Sequence, residues 1–139
     1  MILEFKDYKL DIDLERTEKF YSETSCISDD CDCADCRNYM EWAVNLPEKV
    51  MTFMKRLGID PIKATEVYVN GRDEEKKIAD YGGFYHICGE ILETGENEAF
   101  FEICEGCSVA FTKDVSLKED CLTEPCFQME IDFSCVPLS

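Results

Sequence analysis

Hydrophobic and polar residues alternate at both ends of the chain. Residues 7–15 place apolar side chains on one side and charged side chains on the other, and residues 2–5 begin in a similar way. Residues 127–135 near the end alternate more clearly still. Because successive side chains of a β-strand point to opposite faces, a period of two is typical of a strand with one buried face. These segments are therefore predicted to be half-buried strands.

Shorter apolar segments between the two ends predict further strands. In chain order they are residues 65–69, 84–92, 99–104 and 107–113. The dipeptide Asn70-Gly71 is typical of a tight turn, so the first of these strands is expected to end there. The charged residues 72–80 are then expected to be solvated, and residues 94–98 are expected to form the next turn.

A helical period replaces the alternation after Cys36, where apolar residues recur every three or four positions. This recurrence predicts a helix with Asp35 as its N-cap. Pro47 cannot donate a hydrogen bond to the preceding turn, so it ends that helix. The same period then predicts a second helix, which Gly58 terminates. Residues 16–25 show no clear period and are interpreted as a loop or a frayed turn.

Two helices in the N-terminal half and five to six strands joined by short turns predict an α+β fold. The helices are expected to pack on one face of a mostly antiparallel sheet. The chain has 139 residues and shows no repeat and no linker. A chain of this length can bury one hydrophobic core, so residues 1–139 are predicted to form a single domain.

Four cysteines lie within eleven positions just before the first predicted helix: Cys26, Cys31, Cys33 and Cys36. Cys33-x-x-Cys36 has the spacing with which two thiolates bind one tetrahedral ion, Cys31 is placed to add a third ligand, and Cys26 is the nearest candidate for a fourth. The positive end of a helix also favours the thiolate form. The stretch is a candidate zinc site with these four ligands. A reactive thiol and a structurally incidental cluster of reduced cysteines are the alternatives.

Acidic residues lie among these cysteines, at Asp29, Asp30, Asp32 and Asp35. Their negative charge favours a bound dication and disfavours a bare thiolate. Arg37 follows in the first helical turn, where the helix dipole slightly disfavours a cation. We therefore expect Arg37 to have an acidic partner, either Asp32, Asp35 or a more distant carboxylate. A solvent-exposed Arg37 is the simpler alternative.

Other cysteines and the single histidine give weaker signals. Cys104-x-x-Cys107 has metal-binding spacing, but Cys107 and Cys135 fall on the apolar side of their predicted strands, which favours burial in the core. The remaining pair, Cys121 and Cys126, lies in a polar segment and is a candidate for metal or disulfide pairing. His86 lies among apolar residues and is predicted to be a hydrogen-bonded core histidine rather than part of a Cys–His nucleophile.

The chain carries a formal charge of −17, from 31 acidic and 14 basic residues. Nucleic acid and anionic membrane surfaces are excluded as partners, because both would be repelled. The charge indicates either a solvated acidic surface or a surface complementary to a basic partner protein. No secretory signal and no apolar run of membrane-spanning length is found, which predicts a cytoplasmic protein with reduced thiols.

The segment Cys31-Asp-Cys33-Ala-Asp-Cys36-Arg-Asn-Tyr39 resembles the motif C-x-C-x-x-C-R-N-[YF] of a family of small proteins from Gram-positive gut and soil bacteria. Residues 58–61, 66–67, 81–86 and 89–92 extend the resemblance. The family has no established activity. The resemblance implies an intracellular bacterial protein and singles out Cys31, Cys33 and Cys36, without a catalytic assignment.

No group of residues in the sequence identifies a reaction. We therefore expect a non-enzymatic protein-binding domain with a structural zinc site at Cys31, Cys33 and Cys36. Toxin-immunity proteins are comparable in size and acidity, which is an analogy only. The alternative is a thiol-based redox sensor or enzyme that uses Cys33 or Cys36. A third hypothesis is a structural subunit of a larger assembly.

Overall fold

A computed structural model describes residues 1–27, 31, 33–94 and 99–138. The strands are β1 (Ile2–Phe5), β2 (Tyr8–Ile12), β3 (Glu66–Asp73), β4 (Ile78–Glu93), β5 (Phe101–Cys104), β6 (Cys107–Thr112) and β7 (Cys126–Pro137). The helices are α1 (Leu14–Glu23), α2 (Ala34–Ala43) and α3 (Glu48–Arg56), followed by a 3-10 turn at Pro61–Lys63. The α+β class is confirmed. The predicted two helices and five to six strands are too few, because these described residues form three α-helices and seven strands.

The sheet is antiparallel at every strand pairing among the described residues, with the order β1-β2-β4-β7-β6-β5. Its central strand is β4, which pairs with β7 along one edge. Along its other edge, residues 78–84 pair with β3 and residues 89–93 pair with β2. The backbone of residues 85–88 therefore needs other partners on that edge.

Helix α1 supplies those partners. The Tyr21 hydroxyl donates to the carbonyl oxygen of His86 at 2.8 Å. The Thr17 hydroxyl oxygen accepts from the backbone N–H of Cys88 at 3.1 Å, and the backbone N–H of Asp13 donates to the carbonyl oxygen of Cys88 at 2.9 Å. Because buried backbone groups need hydrogen bonds, α1 completes the sheet edge between β3 and β2.

The interpretation of residues 16–25 as a loop is wrong, since α1 covers most of them. Asp13 is the N-cap and its side chain accepts from the backbone N–H of Arg16. The buried positions of the helix are Thr17, Phe20 and Tyr21. Threonine and tyrosine carry hydroxyl groups, so their recurrence in this helix is not recognisable as an apolar pattern. These hydroxyl groups can be buried because the backbone of β4 supplies their hydrogen-bond partners.

The predicted turn at Asn70-Gly71 is also wrong. Both residues lie inside β3, which has a bulge between Val69 and Gly71 and continues to Asp73. Residues 72–80 are mostly exposed, as predicted, and they form the end of β3, a turn at 74–77 and the start of β4. A bulge accommodates glycine without ending the strand. The turn predicted at residues 94–98 lies largely outside the described residues.

Aromatic side chains join the sheet to α2 and α3. The Tyr39 ring of α2 lies 5.7 Å from that of Tyr81, and its hydroxyl is 2.6 Å from the Tyr85 hydroxyl. The ring of Phe53 in α3 packs edge-on at 5.0 Å against Phe5 of β1. All three tyrosines are completely buried, so these contacts hold α2 firmly against the centre of the sheet. None of the described helices is both long and apolar enough to cross a bilayer.

Candidate functional site

Three cysteines converge at the N-terminus of α2. The Sγ atoms of Cys31, Cys33 and Cys36 all lie within 4.8 Å of one another. The two sulfurs of Cys31 and Cys33 are 3.3 Å apart. Sulfurs that share a tetrahedral zinc ion, with bonds of about 2.3 Å, are about 3.8 Å apart. This group could therefore hold a metal ion after small side-chain adjustments.

The cluster forms because Cys33 is the N-cap of α2, a role that the sequence had assigned to Asp35. Its backbone is extended, and its Sγ accepts from the backbone N–H of Cys36 at 3.4 Å. A sulfur thus takes the place of the side-chain oxygen that usually caps a helix. The cap geometry points the Cys33 side chain back over the first turn, where Cys36 follows three residues later.

The pKa values of Cys33 and Cys36 are shifted in opposite directions. The pKa of Cys33 is lowered, first by the backbone N–H of Cys36 and then by a hydrogen bond from the Cys31 thiol. The pKa of Cys36 is raised, first by burial and then by its hydrogen bonds with Cys31 and Cys33. Cys31 and Cys33 are exposed, whereas Cys36 is buried. These shifts favour the thiolate form at the exposed Cys33 over the thiolate form at the buried Cys36.

The other residues predicted at this site are placed differently. Cys26 is half-buried and does not belong to the group of three, so its role as a fourth ligand stays a prediction. The carboxylates of Asp29, Asp30 and Asp32 lie outside the described residues. Asp35, one of the predicted partners of Arg37, forms an exposed ion pair with Arg72.

Neighbouring residues fix the helix that presents the cluster. The Arg72–Asp35 ion pair connects the first turn of α2 to β3. The buried Asn38 side chain donates to the Tyr81 hydroxyl at 3.0 Å and to the carbonyl oxygen of Pro137 at 3.2 Å. Sequence reasoning gave Asn38 no role, although a polar residue beside the buried Tyr39 was a usable signal. These contacts connect the first turn of α2, which carries the cluster, to β3, β4 and β7.

Outside the cluster, Cys104 and Cys107 lie opposite each other in the hairpin between β5 and β6. Cys107 is buried, as predicted, and burial raises its pKa to about 12. The predicted burial of Cys135 is wrong. This residue is exposed and has a φ of 59°, which interrupts the alternation of β7, and its N–H donates to Asp80. All ten cysteines lie among the described residues, and none of them forms a disulfide there.

His86 is confirmed as a hydrogen-bonded core histidine, with no exposed surface. Its Nδ1 lies 2.6 Å from Oε1 of Glu119, and its Nε2 lies 3.0 Å from Oε1 of Gln128. The second Glu119 oxygen accepts from the Thr65 hydroxyl at 2.6 Å, and Gln128 Oε1 also accepts from the backbone N–H of Ser116 at 2.9 Å. Both ring nitrogens of His86 therefore have a side-chain oxygen within hydrogen-bond distance, and one of these oxygens belongs to a carboxylate.

The charge state of Glu119 agrees with this pairing. Burial opposes its ionisation, but hydrogen bonds from His86 and Thr65 outweigh burial, and the pKa of Glu119 is lowered. The ion pair fastens residues 113–125 over the sheet face opposite α2. His86 is therefore a structural residue, and the Cys31, Cys33 and Cys36 cluster remains the candidate functional site.

Comparisons of this chain with protein-family models, with curated proteins and with solved structures give no match.

Proposed function

We propose that this protein is a non-enzymatic binding domain in which Cys31, Cys33 and Cys36 hold one zinc ion. The observation that carries the proposal is the convergence of three sulfurs within 4.8 Å at a helix N-cap. Thiolates select soft and borderline ions, and zinc is the usual tetrahedral partner of closely spaced cysteines. Cys26 or a water molecule would complete the coordination.

The proposed zinc has a structural role. Ligand binding requires deprotonated sulfurs, and the dication offsets the repulsion between three neighbouring thiolates. Cys36 is buried, and because burial raises its pKa, a bound metal ion would favour the loss of its proton. The ion would then hold the segment before α2 against the turn that Asn38 anchors to β4 and β7.

The partner proposed for this domain is a basic protein. A formal charge of −17 attracts a cationic surface and accelerates association with it. The immunity-like analogy rests on acidity and size alone, and the resemblance to small proteins of Gram-positive bacteria stays a prediction. Ten cysteines with no disulfide among them are consistent with a reducing, cytoplasmic compartment, which is part of the proposal.

Metal analysis tests the zinc site. Protein purified without chelator is expected to contain about one zinc per chain, and Cys36→Ser is expected to lower both the zinc content and the Tm. Because Cys36 is buried, its replacement also disturbs packing, so wild type and variant are compared again after zinc removal with a chelator. The difference in Tm should then shrink. The exposed Cys135→Ser is the matched control and should keep its zinc. A metal-free wild type, with its Tm unaffected by added zinc, would rule out the site.

Thiol–disulfide exchange is the second candidate function, and the opposite pKa shifts of Cys33 and Cys36 favour it. The exposed Cys33 thiolate would attack a disulfide substrate and release one thiolate, which takes up a proton. Cys36 would then lose its proton and attack the Cys33 sulfur, so that the second substrate thiol leaves. The substrate disulfide is reduced to two thiols, and the protein gains one disulfide.

Reaction with iodoacetamide near neutral pH distinguishes the two functions. A metal-free redox protein is expected to show one cysteine that reacts much faster than the others, and Cys33→Ser should abolish that fast phase. Cys135→Ser, which removes an exposed cysteine outside the cluster, should leave it intact. A zinc protein should instead show protected cysteines at positions 31, 33 and 36 that become reactive only after chelation.

A further inference from the structure

Two cysteines far from the cluster face each other across the central strands of the sheet. Cys88 of β4 is the register partner of Cys126 of β7. The N–H of Gly89 donates to the carbonyl oxygen of Pro125, whereas the N–H of Cys88 points to the opposite edge and donates to Thr17. Cys88 and Cys126 are therefore a non-hydrogen-bonded antiparallel pair.

This kind of pair has the right spacing for a covalent link. Cα atoms in non-hydrogen-bonded pairs lie about 4.5 Å apart, and disulfides span Cα separations of about 4.4–6.8 Å. The preceding pair on the same face, His86 and Gln128, already makes a direct side-chain hydrogen bond of 3.0 Å across the strands. Rotation about χ1 is the side-chain movement by which the two sulfurs of such a pair approach each other.

The two thiols differ in their exposure to solvent. Cys88 is completely buried, whereas Cys126 is half-buried and lines an open cavity beside Val115 and Lys118. A reagent that enters this cavity therefore meets Cys126 first. Burial raises the pKa of Cys126, and the positive charge of Lys118 partly opposes that effect. Its reaction should accordingly become faster as the pH rises toward the alkaline range.

We propose that Cys88 and Cys126 form a reversible cross-strand disulfide, with a low-molecular-weight disulfide such as oxidised glutathione as the oxidant. The Cys126 thiolate attacks one sulfur of the oxidant, which gives a mixed disulfide and one glutathione thiolate that takes up a proton. Cys88 then loses its proton and attacks the Cys126 sulfur, which releases the second glutathione. Two protein thiols are oxidised, and one glutathione disulfide is reduced to two thiols.

The link would join β4 covalently to β7 at the point where residues 113–125 end. Cys126 begins β7 directly after this segment, and Glu119 within it binds His86, which lies two residues before Cys88. A covalent bond between the strands restricts how far residues 113–125 can separate from the sheet. The site is independent of the Cys31, Cys33 and Cys36 cluster and does not rest on the proposed zinc function.

The test uses the full chain, folded and treated with excess oxidised glutathione at mildly alkaline pH. Remaining thiols are alkylated, the protein is digested without reduction, and linked peptides are identified by mass spectrometry with fragmentation. We expect a Cys88–Cys126 link that a dithiol reductant reverses. In Cys88→Ser the reaction should stop at a Cys126–glutathione mixed disulfide, because the second thiol is missing.

Matched variants separate this site from its neighbours. Cys121→Ser alters a half-buried cysteine in the same segment and should leave the link unchanged, whereas Cys126→Ser should abolish it. Cys104 and Cys107 also face each other, and fragmentation identifies any link between them as a species separate from the Cys88–Cys126 link. Absence of the Cys88–Cys126 link in folded wild type, or its formation only in denaturant, would overturn the proposal. The result for the wild-type protein alone tests the proposal, even if a variant fails to fold.

Discussion

Replacing Glu119 by glutamine is expected to lower the free energy of unfolding by about 2–4 kcal/mol at neutral pH. The Glu119 carboxylate has buried hydrogen-bond partners in His86 and Thr65, and leaving a buried partner unsatisfied costs about 1–3 kcal/mol, more where a charged group is involved. The Glu119 side chain keeps 19% of its exposure, which reduces the expected cost somewhat. Chemical denaturation of wild type and variant measures the difference, provided that both unfold in a single transition.

The effect of Glu119→Gln should depend on pH in a defined direction. The pKa of Glu119 is lower in the folded protein than its ordinary value, so its carboxylate stabilises the fold above the unfolded pKa of about 4.3. This contribution is lost as the pH falls through the folded pKa. The stability difference between wild type and variant should therefore decrease as the pH falls below about 4.

Glu124→Gln is the matched control for this prediction. Glu124 lies in the same segment and pairs with Lys118 at 2.9 Å, but 77% of its side chain is exposed. Solvent screens such a pair, so its loss should change stability little. Equal effects of the two substitutions would contradict the conclusion that the buried His86–Glu119 pair holds residues 113–125 on the sheet.

Gly89→Ala is expected to cause a larger loss, of more than about 3 kcal/mol, or to prevent folding altogether. Gly89 has a φ of 141°, a conformation that residues with a side chain rarely adopt. A Cβ atom there would lie 2.1 Å from the carbonyl oxygen of Asp11 and 3.0 Å from the Cα of Ile12. Both atoms belong to the backbone of β2, so only a displacement of the whole strand would make room. Circular dichroism during thermal unfolding measures the loss.

Gly71→Ala controls for the general effect of an added methyl group in the sheet. Gly71 lies in β3, and the nearest atom to its added Cβ would be Oδ2 of Asp80 at 3.8 Å, an ordinary contact. We expect a change within about 0.5 kcal/mol. If Gly89→Ala were as stable as Gly71→Ala, the close pairing of β2 with β4 would be incorrect.

The strands of this protein were the most predictable part of its structure. In β7 the alternation of apolar and polar residues identified the buried face, because the period of a strand is a local property of the backbone. The exception at Cys135 has a positive φ, which no pattern of residue types revealed. Cysteine spacing similarly predicted the convergence of Cys31, Cys33 and Cys36, since residues within one turn of a helix start are neighbours in any fold.

Features that depend on distant segments were decided only in the folded protein. The hydroxyl groups of Thr17 and Tyr21 could be buried because β4 offers them unpaired backbone groups, so helix α1 was missed. The pairs His86–Glu119 and Cys88–Cys126 join residues far apart in sequence. Residue types and their local spacing restrict which backbone conformation a segment adopts. Strand register and segment docking bring distant side chains together, because they depend on how the whole core packs.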